Sequence, residues 1–164
     1  MAIAQMLLPE FDREIAGART AIERIPPDRL QFRPHEKSWT LIELGTHLAR
    51  LLSWAQPTFA VDEMDLSGYE REPALPSVAA ALELFDRNAA AARTAIAAAT
   101  DEQFMSPWTL KAGDTAYFTM PRAGVIRSFV LNHLIHHRGQ LTVYLRMVGA
   151  KVPGLYGPSA DETM

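Results

Sequence analysis

The chain has 164 residues, 48% of them hydrophobic, which suits one domain (residues 1–164) able to bury a core without cross-links. Its 16 Lys+Arg against 19 Asp+Glu give a net charge of −3, which offers no electrostatic footprint for nucleic acid, and the lack of cysteine excludes disulfides and thiolate metal sites. No run approaches about 18 apolar residues, so no membrane span is expected. Met1–Glu10 has neither a basic start nor a long apolar run, so no signal peptide is expected and a cytoplasmic protein is.

Four segments carry helical periodicity. In Ile3–Arg24, residues Ala4, Leu8, Phe11, Ile15, Ala18 and Ile22 recur by fours and threes, and Pro26-Pro27 ends the run. Thr40–Gln56 opens on a capping box, Thr40 with Glu43, carries the seam Leu41, Leu44, Leu48, Leu51 and Ala55, and is expected to stop at Pro57. Ala60–Pro76, with five acids and one arginine, reads as a solvated crossover loop. Ser77–Ala99 is an alanine-rich helix with seam Val78, Leu82, Phe85, Ala89, Ala92 and Ile96. Ser106–Met120 reads as a short hairpin around Gly113, and Pro121–Val148 as the last helix, closed by Gly149. Pro26–Phe32 and Ala99–Met105 echo one another after helices one and three, each with a tryptophan, Trp39 or Trp108, a few residues on. The expected fold is all-α: a four-helix bundle with long crossover loops and a short hairpin before the last helix.

The histidines carry the chemistry. Three of five cluster in Asn132-His-Leu-Ile-His-His-Arg-Gly-Gln140. On a helical wheel with His133 at zero, Ile126, Val130, Leu141, Tyr144 and Val148 fall between about 20° and 80°, His137 at about 40° and His136 at about 300°. His133 and His137 therefore share the apolar stripe, and His136 flanks it. An unpartnered buried polar group costs roughly 1–3 kcal/mol. Rings at i and i+4 converge as they do in metal-binding His-x-x-x-His, and neutral imidazole suits Zn, Ni, Cu or Fe. His47, at the edge of the second helix's seam, can supply a third nitrogen. From pattern alone, hydrogen-bonded core histidines explain the same residues, and His136 can replace either partner. His35 lies in a surface loop.

Lys37-Ser-Trp-Thr-Leu-Ile-Glu-Leu-Gly-Thr-His-Leu48, His133-Leu-Ile-His-His-Arg-Gly-Gln-Leu141 and the tail Val152–Glu162 resemble the DinB/YfiT-like family of metal-dependent enzymes. The resemblance covers nearly the whole chain. It implies a four-helix bundle holding one divalent metal through His47, His133 and His137, and a homodimer. Some members act on substrates attached to low-molecular-weight thiols; others are described as hydrolases.

Three neutral histidines leave a divalent ion an open position, the pattern of catalytic rather than closed structural sites. A water bound there is acidified toward pKa about 7, and a thiol is deprotonated. Two chemistries follow: a metal-dependent hydrolase, or a thiol-dependent S-transferase with a low-molecular-weight thiol as cosubstrate, each using Zn or Ni and a small-molecule substrate. The alternative is a non-enzymatic dimeric or ligand-binding helical module with a structural or vestigial metal site. No catalytic base is identified. Glu43, Gln140 and Arg138 are candidates for supporting the ligands, although Glu43 is explained by its capping box, and the wheel puts neither Arg138 nor Gln140 on the core seam. Arg122, Arg127, Arg138 and Arg146 would give the last helix an electropositive surround suited to an anionic substrate, although for Arg127 and Arg146 a solvated or interface face is the preferred reading. Tyr144 is expected in the core, and Trp39 and Trp108 as lids or staples at the bundle ends.

Overall fold

Ile3–Glu23 form α1, and Val78–Ala98 form α4, where the periodicity places them. The computed structural model describes residues 2–163. The Ser77 hydroxyl starts α4 by accepting the Ala80 N–H. Thr40 starts α2 (Leu41–Leu51) with a full capping box: its hydroxyl accepts the Glu43 N–H at 3.3 Å, and the Glu43 carboxylate accepts the Thr40 N–H at 2.7 Å. All five residues of the expected α2 seam are buried, and each buried leucine contributes roughly 1.5–3 kcal/mol. The segment does not stop at Pro57. It passes through a 3-10 turn at Leu52–Trp54 into α3 (Ala55–Ala60), where Pro57 sits in the first turn and its missing N–H leaves no bond unmade.

The two echoed segments become short helical turns, a 3-10 turn at Pro27–Arg29 and α5 at Asp101–Met105. The hairpin is present: β2 (Pro107–Ala112) pairs antiparallel with β3 (Thr115–Pro121), and Gly113 turns between them at φ +56°, a conformation side chains disfavour. The acidic segment is not wholly a solvated loop. Its β1 (Glu63–Asp65) pairs parallel with β2, giving strand order β1-β2-β3, and Asp65 Oδ1 accepts the N–H groups of Ser67 and Gly113. Trp108 is no lid. It is fully buried beside Leu110 and Val125 in a second apolar cluster, between the sheet and the helices.

The last helical segment is not uniform. Arg122–Val125 form α6, Ile126–Asn132 a π-helical stretch, and His133–Met147 form α7. The i→i+5 closure of a π turn holds one residue more than an α turn and rotates everything after it. The buried row runs Ile126, Val130, Leu134, Arg138, Leu141, Leu145, with Leu134, Arg138 and Leu145 each one residue past the His133, His137 and Tyr144 of a uniform 3.6-residue wheel. α1 packs on α4 and α7, and α2 packs on the same two. The result is a mostly helical fold with a small three-stranded sheet. No described helix is long and apolar enough to cross a membrane.

The ion pairs correct the expectation of an electropositive surround. Arg122 and Arg138 are buried, and all four expected cations face acids: Arg122 with Asp62, Arg127 with Glu10, Arg138 with Glu14, Arg146 with Asp161. The last helix therefore presents no electropositive surround. Tyr144 is only partly buried, edge-on to Phe32.

Candidate metal centre

α2 and α7 pack against each other, and that contact brings His47 to the two histidines of α7. Because the π stretch moves the core seam to Leu134 and Arg138, His133 and His137 turn toward the seam's edge. His47 and His133 are partly buried and His137 is 9% exposed. The Nε2 atoms converge: His133 to His137 at 2.9 Å, and His47 to His133 at 3.4 Å. One nitrogen from each ring lies within 4.8 Å of the other two. His136 is exposed, its ring edge-on to His137, and His35 is exposed in its loop.

The outer nitrogens decide what the inner ones offer. Gln140 Oε1 lies 2.7 Å from His137 Nδ1, so the proton sits on Nδ1 and Nε2 keeps a bare lone pair. The His137 Nε2 lone pair is thus aimed at His133 Nε2, 2.9 Å away, a convergence that positive charge between the rings would stabilise. Protons are a poor source of it. Burial pushes the His47 ring down to about 3, aided by the neighbouring histidines and by Arg71 and Arg50, and burial also lowers His133 and His137. A metal is the better source. Tetrahedral bonds of about 2.0–2.1 Å place their nitrogens about 3.3 Å apart, near the separations found here. The three histidines therefore fit a divalent ion.

Trp39 is not a lid at the bundle end but a wall of the cluster. It stacks on His137 at 5.1 Å and 23° and meets His47 edge-on at 4.6 Å. Pattern reading missed this contact, although Trp39 stands immediately before the Thr40 cap that aims α2. A cavity of about 640 Å³ is lined by both His47 and His133. That size suits a small organic molecule. Glu43 also lines it, but its carboxylate holds the Thr40 N–H, which keeps its pKa below the usual range.

Arg138 does not reach the cluster. It points away into the core, 2% exposed, and pairs with Glu14 at 2.7 Å, while the Tyr156 hydroxyl touches both at 2.7 Å. Its guanidinium passes over Gly17, where a Cβ would stand 2.9 Å from Nη1. Glu14 was hidden in the sequence as an acid three residues after Phe11, on the buried side of α1.

A mostly helical fold carrying three convergent histidines beside a cavity defines the class of this protein. The DinB superfamily model matches residues 10–141, and the chain belongs to that superfamily. Its fold is similar to that of a DinB-like protein from Bacillus cereus ATCC 10987, at 22% identity and TM-score 0.72, over 94% of this chain and 98% of that one. A DinB-like protein from Bacillus subtilis matches at 19% identity and TM-score 0.71, over 90% and 96%. A segment of 39 residues is 49% identical to the uncharacterized protein YrdA of Bacillus subtilis (strain 168), spanning 24% of this chain and 23% of YrdA, under a quarter of that relative's length.

Proposed function

We propose that this chain is a metal-dependent enzyme in which His47, His133 and His137 hold one divalent transition ion, Zn or Ni, beside the substrate cavity. The observation that carries the reading is the pair of His133 and His137 Nε2 atoms, 2.9 Å apart, with Gln140 fixing the outer proton of His137. When bound, such an ion acidifies a water or thiol next to it, which supplies the nucleophile for hydrolysis or for transfer to a low-molecular-weight thiol. The chain's own part is orientation and exclusion of water. Gln140 sets the His137 tautomer, Trp39 packs against His47 and His137, and the cavity leaves an open front beside His47 and His133. An open front is what an enzyme needs and what a purely structural site lacks. Glu43 is held in its cap, so the reading assigns it no proton transfer. The proposal includes a four-helix bundle formed by α1, α2, α4 and the last helical segment. It also includes a homodimer, for which exposed Val143 and Met147, one turn apart on α7, are suitable contacts.

Elemental mass spectrometry of the untagged protein tests it. About one equivalent of Zn or Ni is expected, lost in His47→Ala, His133→Ala and His137→Ala and kept in His136→Ala. No metal after reconstitution, or equal loss in the His136 variant, contradicts the assignment.

A further inference from the structure

The charges around the cavity do not cancel once their commitments are counted. Three acids line it: Glu43, Asp65 and Glu72. Glu43 caps α2, Asp65 accepts the N–H groups of Ser67 and Gly113, and Glu72 pairs with Arg50 at 2.8 Å. Arg50 is committed as well. Its two terminal nitrogens donate to the carbonyls of Glu72 and Pro73 at 3.0 and 2.9 Å, which pins the chain just after Arg71. Arg71 remains. Among the described residues no carboxylate pairs with it, and its guanidinium lies on the Trp39 face, 4.4 Å from the ring centroid.

That position is a specific one. Trp39 also stacks on His137, so the same ring contacts both the cation and the histidine cluster, and Arg71 itself lines the cavity. The aromatic face fixes the plane of the guanidinium and leaves its N–H fork free, the geometry that recognises a carboxylate or phosphoryl group in two-pronged fashion. The Arg71 charge is felt across the cavity, since it opposes protonation of His47 and favours the ionised form of Glu43. The remaining lining is largely apolar, including Leu51, Trp54, Met64, Leu66 and Phe129.

We infer that Arg71 is the binding residue for an anionic group, carboxylate or phosphate, on a substrate whose apolar body fills the adjoining cavity. The inference rests on the proposed function in taking this cavity as the substrate's. It moves the anion-binding role from the arginines of the last helical segment, which are all paired, to a loop residue between β1 and α4.

The test uses the full chain and three matched probes: phenylacetate, phenyl phosphate and the neutral phenylacetamide. Binding is read by calorimetry and by tryptophan fluorescence, since Trp39 lies under the guanidinium. One or both anions should bind about tenfold or more tightly than the amide, as expected for a charge-assisted hydrogen bond. Arg71→Gln should abolish that preference, and Arg71→Lys should keep part of it. The stronger of the two anions identifies the group recognised. Binding of the amide equal to that of the anions, no binding of any probe, or an anion preference unchanged in Arg71→Gln overturns the inference. Metal content measured on the same samples separates the two ideas. Anion preference that survives in Arg71→Gln with metal present assigns the anion to the ion and leaves the metal reading standing. Arg71-dependent binding in a protein that takes up no metal leaves this inference standing and removes the other.

Discussion

His137 and Arg138 are consecutive residues on one turn of α7, and they end in opposite polar environments. Arg138 is sealed in the core among its own partners: Glu14 supplies the charge and the Glu14 carbonyl accepts Nη1 at 3.1 Å, while Tyr156 bridges both side chains. His137 has its outer nitrogen satisfied and its inner nitrogen turned toward another histidine nitrogen, His133 Nε2, 2.9 Å away. The first cluster is complete as built. The second calls for a positive charge that the chain does not supply. A buried polar group by itself says little about function; the group left facing its own kind is the informative one.

Breaking the closed cluster should have the largest effect. Glu14→Ala leaves the Arg138 guanidinium buried without its counter-charge and should cost about 3–5 kcal/mol in denaturant unfolding. The double change Glu14→Leu with Arg138→Met should recover most of that loss, because an apolar pair removes both charges at once. A double variant as unstable as the single one would show that the pair does more than compensate itself.

Loosening the open cluster should have a smaller effect on a different observable. Gln140→Leu releases the His137 tautomer and should weaken metal binding about 10–100-fold in a competition titration, with little change in unfolding of the metal-free chain. Unchanged affinity would mean that the packing of α7 alone orients the ring.

The most gradual effect is that of pH on the metal-free protein. The three rings titrate lower in the folded state than the ordinary histidine value of 6.5, His47 down to about 3. The unfolded chain therefore takes up protons first as pH falls. Stability from these rings is full above 6.5 and is lost between there and about 3. Thermal unfolding across that range should fall more steeply in the native sequence than in His47→Gln. Parallel slopes would remove His47 from the desolvated cluster.

The comparison also explains what was readable in the sequence. The spacing of His133 and His137, the Thr40 capping box and the α2 seam are local facts, and the structure places them as the periodicity does. A wheel with a fixed 3.6-residue turn cannot register the π stretch at Ile126–Asn132 and so leaves Arg138 off the core seam, whereas Tyr144 does pack against the core. β1 is three residues long and exists through its parallel partner β2, more than forty positions later, beyond the reach of any local pattern. Arg71 carries no motif at all. Its position comes from Arg50 holding the next two carbonyls and from Trp39 beneath it.

The central claim is that His47, His133 and His137 bind one ion and leave it open to the cavity. Anomalous scattering from crystals, collected on both sides of the absorption edge of the bound metal, tests it most directly. The account predicts a single peak about 2.0–2.1 Å from the three Nε2 atoms, with its remaining side toward the cavity and no fourth protein ligand. A peak closed off by a fourth side chain, or no peak at the three histidines after reconstitution, would contradict it.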